Sequence, residues 1–81
     1  MEILGIPVIP RKNVWVAVLG PEFTIHFREV AGKWFGKRTT AQEDYATGDT
    51  LRQCAVRCIQ RYAKFEEECR LRAKTRLASL G

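Results

Sequence analysis

The clearest local pattern in the chain is a strict alternation of apolar and polar residues that begins just after Gly20 and Pro21. The apolar positions are Phe23, Ile25 and Phe27, and the polar positions are Thr24, His26 and Arg28. Successive side chains of a strand point to opposite faces of its sheet, so the pattern predicts a strand with one buried face. His26 falls on the polar face, and we interpret it as a surface residue.

Two flanking segments extend this strand into a predicted three-stranded antiparallel β-meander over residues 13–38. The run from Val14 to Leu19 is apolar and rich in β-branched residues, which favours a strand covered on both faces. A turn at Ala31 and Gly32 leads into a third strand containing Trp34 and Phe35. Because adjacent strand residues face opposite sides, one of these two aromatics is expected to be exposed.

The segments on either side of the meander carry weaker signals. Residues 1–12 include Gly5, Pro7 and Pro10, and proline cannot donate a ladder hydrogen bond, so the segment can form only an edge strand or a packed extended arm, of which we expect the arm. Thr40 with Glu43 three residues later has the form of a capping box. This pair predicts a short helix or turn over residues 40–47.

A long amphipathic helix is predicted over residues 50–80. Thr50 and Gln53 form a second capping box at its start. Apolar residues then recur at spacings of four and three, as expected for one buried helix face. The stripe consists of Leu51, Ala55, Cys58, Tyr62, Phe65 and Cys69.

These elements predict an α+β fold: a three-stranded antiparallel β-meander packed against a long C-terminal amphipathic helix, with a short helix or turn before it. The 81 residues are enough for one compact core, so residues 1–81 are expected to be a single domain. So small a core is only marginally stable, and a homodimer through the long helix is one way to complete it.

Composition indicates the cellular location of the protein and the classes of partner it binds. The net charge of +5 favours nucleic acid or an acidic protein as the partner. The apolar runs are much shorter than the roughly 20 residues that cross a bilayer, so no membrane partner is expected. The odd number of cysteines, three, and the lack of a secretory signal pattern predict a cytoplasmic protein.

Residues for catalysis are sparse, and we expect neither an enzyme nor a cofactor. There is one histidine, with no glycine-flanked serine and no glycine-rich loop that ends in Lys-Ser or Lys-Thr. Cys54 and Cys58 are one helical turn apart, a spacing that two zinc ligands could use. Cys58 lies on the apolar stripe, however, where cysteine behaves as a small hydrophobic residue, so no metal site is expected.

The basic residues give the sharper functional signal. One set lies on the predicted strands beside an aromatic pair, the combination used to bind single strands, and the other follows one flank of the helix. Charged residues on exposed faces are also ordinary solvated positions. The candidate nucleic-acid-binding or acidic-partner-binding residues are Arg28, Lys33, Trp34, Lys37, Arg38, Arg57, Arg61, Lys64 and Arg72.

The layout resembles a known class of DNA-binding domain. Three short strands that end in Gly32-Lys33-Trp34-Phe35-Gly36-Lys37-Arg38 and are followed by a helix are similar to the arm-site DNA-binding domains of phage-type tyrosine recombinases. The similarity is one of architecture, spans roughly Val14 to Phe65 and rests on no specific motif. It implies that the sheet would enter the major groove of DNA.

Two functional hypotheses follow. The first is a non-enzymatic nucleic-acid-binding protein that neutralises phosphates with its basic surface. The alternative is a protein-interaction module, such as a small phage-type inhibitor (for example an anti-CRISPR) or an adaptor, whose basic surface recognises an acidic host protein or nucleoprotein complex.

Overall fold

A computed structural model of the protein describes the backbone of residues 1–80 and the side chains of residues 1–73. The chain has an α+β fold, with strands followed by one helix. The strands are β1 (Glu2–Ile3), β2 (Ile6–Pro7), β3 (Ile9–Arg11), β4 (Val14–Gly20), β5 (Phe23–Val30), β6 (Lys33–Arg38) and β7 (Asp44–Gly48), and the helix is α1 (Leu51–Leu80).

The main sheet has five antiparallel strands in the order β3-β4-β5-β6-β7, and β1 and β2 form a separate small hairpin. The predicted meander is therefore the centre of a wider sheet. The β5–β6 connection is a two-residue turn in which Ala31 and Gly32 both have positive φ, 53° and 78°. This backbone twist matches that of the flanking strands, which is why such turns are common in hairpins.

The prediction of an extended arm over residues 1–12 is wrong, because the segment forms β1, β2 and β3. Proline is nevertheless found where the argument allows it, because Pro10 lies in β3, an edge strand, where a missing N–H is tolerated. Two fully buried residues from this segment, Ile3 and Val8, belong to the core.

The prediction of a short helix or turn over residues 40–47 is also wrong from Asp44 onwards, where β7 begins. Ala41 donates a backbone hydrogen bond to Arg38, so the Thr40 segment forms a turn instead of starting a helix. Pairing with β6 then satisfies the backbone of residues 44–48, which a helical turn of this length would leave largely unpaired.

The long helix is confirmed, and Thr50 caps its start as predicted. The hydroxyl of Thr50 accepts a hydrogen bond from the Gln53 N–H at 3.0 Å, and the Gln53 side chain accepts one from the Asp49 N–H at 2.7 Å. The first turns of α1 pack on β5, β6 and β7. The core consists of Ile3, Val8, Ala17, Phe23, Ile25, Phe27, Leu51, Cys54, Ala55 and Cys58.

The helix approaches the sheet very closely at two glycines. A Cβ atom placed on Gly36 would lie 2.7 Å from the Cys58 sulfur and 3.0 Å from the Phe27 ring. One placed on Gly48 would lie 2.6 Å from the backbone nitrogen of Cys54. These glycines set the distance between α1 and the β6–β7 pair.

The predicted apolar stripe is buried over only part of its length. Cys58 is fully buried and Tyr62 partly so, whereas Phe65 is 50% exposed and Cys69 is exposed. The helix therefore extends past the sheet, since 30 residues span about 45 Å. Among the described residues, no helix has the length and apolarity needed to cross a membrane.

Candidate functional site

The strand register divides the side chains of the sheet between two faces. One face carries Phe23, Ile25 and Phe27 and is covered by α1. The other face is called the open face here, because α1 lies on the opposite side and Ile9, Val18 and Val30 are 45%, 62% and 53% exposed. By register, the open face carries Ile9, Arg11, Val14, Val16, Val18, Thr24, His26, Arg28, Val30, Lys33, Phe35, Lys37, Asp44 and Thr47.

The aromatic residue of the open face is Phe35, whereas Trp34, the aromatic residue predicted for the site, lies on the opposite face of the sheet. Trp34 pairs with Gly48 on the helix-facing side and packs against the core, where its large apolar surface is partly buried. Phe35, one residue later, points to the other face and lies between Arg28 of β5 and Thr47 of β7. The sequence indicated that one of the pair would be exposed but gave no signal for which one.

Three of the predicted cations surround Phe35. Arg28 is directly opposite it, and Lys33 and Lys37 lie two residues away on the same face of β6. Arg28 also approaches the Asp44 carboxylate at 3.8 Å, an exposed ion pair that holds its side chain only weakly. The part of the open face around Phe35 thus combines an aromatic ring with three positive charges and one negative charge, and Arg11 adds a fourth positive charge at the β3 edge.

Arg57 and Arg61 were predicted to bind a partner, but both side chains contact the free edge of β7. Arg57 donates a hydrogen bond to the carbonyl oxygen of Thr47 at 2.8 Å, and Arg61 donates one to the carbonyl oxygen of Tyr45. These alternate residues of an edge strand direct their carbonyls away from β6. The two arginines therefore satisfy acceptors that β7 leaves unpaired, and they are only partly available to a ligand.

We expect Arg57→Ala to lower the free energy of unfolding by about 1 kcal/mol, because one charged donor to a backbone carbonyl is lost. Loss of this cover should also raise self-association, since an unpaired strand edge is a template for pairing. Urea denaturation and light scattering at several protein concentrations measure the two effects. Arg52→Ala, an exposed arginine on the same helix, is the control, and equal losses in both variants would contradict the role of Arg57.

The remaining predicted cations lie on the helix side of the sheet or beyond it. Arg38 and Lys64 line a cleft between α1 and the ends of β5, β6 and β7, together with Arg61. Arg72 is exposed on the projecting part of α1. The predicted cations therefore form two groups on opposite faces of the sheet, while Arg57 lies at the edge of β7 and Arg72 lies apart from both groups.

The cleft has a volume of about 580 Å³ and is called the cationic cleft below. It is lined by Phe23, Arg38, Ala41, Tyr45, Arg61, Lys64, Phe65 and Glu68. The Arg38 guanidinium lies 4.4 Å from the centre of the Phe23 ring, and that of Arg61 lies 4.3 Å from the centre of the Tyr45 ring. Burial raises the pKa of the Tyr45 phenol despite the nearby Arg61, so its ring stays neutral beneath the cation.

The cysteines belong to the core or to the surface of the helix. Cys54 and Cys58 are fully buried, and the hydrogen bond to Cys54 together with burial raises the pKa of the Cys58 thiol. Side chains four residues apart on a helix have Cβ atoms about 5–6 Å apart, too far for a disulfide without a change in the backbone. Within residues 1–73, no cluster of three or more His, Cys, Asp or Glu side chains is suited to hold a metal ion.

Sequence reasoning missed several residues of these sites. Phe23 and Tyr45 of the cationic cleft lie far apart in sequence, and the strand that carries Tyr45 was not predicted.

Comparisons of the chain with protein-family models, curated proteins and solved structures find no match. The resemblance to recombinase arm-site domains gains no support from them, and it described a sheet of three strands where the chain has five.

Proposed function

We propose that the protein binds nucleic acid, DNA or RNA, through the open face of its sheet. The observation that carries this proposal is the position of Phe35, which lies on an uncovered sheet face between Arg28, Lys33 and Lys37. Cations neutralise the phosphates of a strand, while an aromatic ring stacks on a base. Both contacts are available on one surface.

The geometry favours a single strand over a duplex. Phe35 lies within a sheet face rather than at the tip of a hairpin, so an unpaired base can reach its ring more easily than a base held in a duplex stack. Four inter-strand spacings of about 4.8 Å make the face about 19 Å wide. That width is sufficient for several nucleotides of a single strand laid across the strands.

The proposal is tested by titrating labelled single-stranded and duplex oligonucleotides and following fluorescence anisotropy at several salt concentrations. We expect a Kd in the micromolar range or below at about 50 mM salt, weakening steeply as salt increases. Replacing two phosphate-binding lysines, as in Lys33→Gln/Lys37→Gln, should reduce the slope of log K against log salt by about 1.4 for a single strand.

The matched control is Arg52→Gln/Arg70→Gln, which removes the same number of charges from exposed helix positions. Its slope should equal that of the unmodified protein. If the slope of log K against log salt decreases in the control alone, the binding surface lies on the helix and not on the open face. Absence of binding at about 50 mM salt would remove the proposal altogether.

One observation favours the alternative, a protein-interaction module. The β3–β4 end of the open face is apolar and exposed, with Val18 62% and Ile9 45% exposed. Exposed apolar surface of this kind often marks an interface with another protein. An inhibitor or adaptor that acts on an acidic host protein would use this patch with the neighbouring cations. A pull-down of that protein would then give the same result with and without nuclease treatment.

A further inference from the structure

The cationic cleft has the features of an anion-binding site on the side of the sheet opposite the open face. Arg38, Arg61 and Lys64 contribute three positive charges against the single carboxylate of Glu68. Arg38 and Arg61 are each stacked on an aromatic ring and hydrogen-bonded to a backbone carbonyl, Arg38 to Glu22 at 3.1 Å and Arg61 to Tyr45. Their guanidinium groups are thus held in place before any ligand arrives, which lowers the entropy cost of binding.

The two guanidinium groups retain donors for a ligand. A guanidinium has five N–H donors, and each of these two arginines has one hydrogen bond in the structure. The Nε of Arg38 is buried and lacks a hydrogen-bond partner among the described residues. A buried donor without a partner is costly, so a ligand oxygen that reached this nitrogen would gain a favourable hydrogen bond.

The volume and the lining residues of the cleft indicate which kind of molecule carries the anionic group. A volume of about 580 Å³ is within the range of small-molecule sites and far exceeds that of an isolated phosphate. Phe65 lines the cleft and is 50% exposed, so part of its side chain is accessible to a ligand. We infer that the cationic cleft binds a phosphate monoester of nucleotide size, with the phosphate on Arg38, Arg61 and Lys64 and the base on Phe65.

Such a group has two sources, a free mononucleotide and the 5′-phosphorylated end of a nucleic-acid strand. The test titrates ¹⁵N-labelled protein with adenosine monophosphate, with a 5′-phosphorylated dinucleotide and with adenosine, and follows the Nε–Hε signals of Arg38 and Arg61. Saturable shifts with a Kd below about 1 mM are expected for the phosphorylated probes. Saturation by the mononucleotide alone identifies free nucleotide as the ligand, and saturation by both includes strand ends.

Two substitutions one helical turn apart should change the affinity in opposite directions. Lys64→Gln removes a cation from the cleft and should weaken adenosine monophosphate binding by about tenfold, as expected for one charge-assisted hydrogen bond. Glu68→Gln removes the one carboxylate among the described residues that line the cleft and should strengthen binding. Glu67→Gln, a neighbouring helix residue that does not line the cleft, should leave the affinity unchanged.

The inference is overturned if adenosine shifts the same signals as strongly as its monophosphate, or if the shifts do not saturate. It is also overturned if Lys64→Gln and Glu68→Gln change the affinity in the same direction. The Lys33→Gln/Lys37→Gln variant alters the open face alone, so it should bind adenosine monophosphate normally. A reduced salt slope of oligonucleotide binding in that variant, with intact mononucleotide binding, separates the cleft from the proposed function of the open face.

Discussion

Replacing Gly36 with alanine should lower the free energy of unfolding by about 2–3 kcal/mol, a large part of the roughly 4–12 kcal/mol expected for a chain of this size. The added Cβ would lie 2.7 Å from the Cys58 sulfur and 3.0 Å from the Phe27 ring. Both neighbours are fully buried, so neither can move without disturbing the contact between α1 and the sheet. Urea denaturation followed by circular dichroism measures the loss.

Three further variants identify the cause of that loss. Gly32→Ala is the matched change at a position where no atom lies within 4 Å, and only the positive φ of 78° opposes it, at a cost of about 1 kcal/mol. Removing the opposing sulfur with Cys58→Ala should make room for the new methyl group. The double variant Gly36→Ala/Cys58→Ala is then less destabilised than the sum of the single variants by about 1 kcal/mol. Additive losses would show that the sulfur is not the obstacle.

Phe35→Ala should weaken binding of a single-stranded oligonucleotide by about 1–3 kcal/mol, or roughly 5- to 150-fold, if its ring stacks on a base. The charges of Arg28, Lys33 and Lys37 are unchanged, so the slope of log K against log salt should stay the same. This combination, lower affinity with an unaltered salt dependence, separates stacking from the loss of a phosphate contact. Anisotropy titration with an oligonucleotide lacking a 5′ phosphate measures both quantities.

Phe35→Leu is the control for this prediction, because it keeps most of the apolar volume and removes the aromatic ring. A stacking role predicts that leucine restores little of the lost affinity. Full affinity with leucine would mean that Phe35 only fills space on the open face. Urea denaturation of both variants confirms that they remain folded at the temperature of the titration.

The parts of the fold that could be predicted are those with a regular pattern of residues in the sequence. The alternation at residues 23–28 and the helix cap at Thr50 each depend on local geometry, and both appear in the structure. β7 could not be predicted in this way, because its pairing with β6 provides the stabilisation that its own sequence lacks. Glycine has a low strand propensity, yet Gly36 is the residue that lets the helix approach β6 closely.

In the candidate site, too, the features set by local periodicity could be predicted, and those set by tertiary contacts could not. That Lys33 and Lys37 share a face with Arg28 follows from strand periodicity and register, and the structure places them together. Arg57 and Arg61 have a spacing typical of a shared helix face, but the spacing does not reveal that the edge of β7 lies beside them. The sequence did not reveal which of Trp34 and Phe35 lies on the open face, because two adjacent aromatics give the alternation no preferred phase.

The cover that Arg57 and Arg61 place on β7 also restricts how a partner can approach the molecule. An extended peptide that joins a sheet as an additional strand needs a free run of backbone donors and acceptors. At one edge of the sheet, the outward carbonyls of Tyr45 and Thr47 are already occupied. At the other edge, β3 has three residues and includes Pro10, which has no N–H to offer. Recognition by β-augmentation is thus disfavoured at both edges, which directs partners to the two faces.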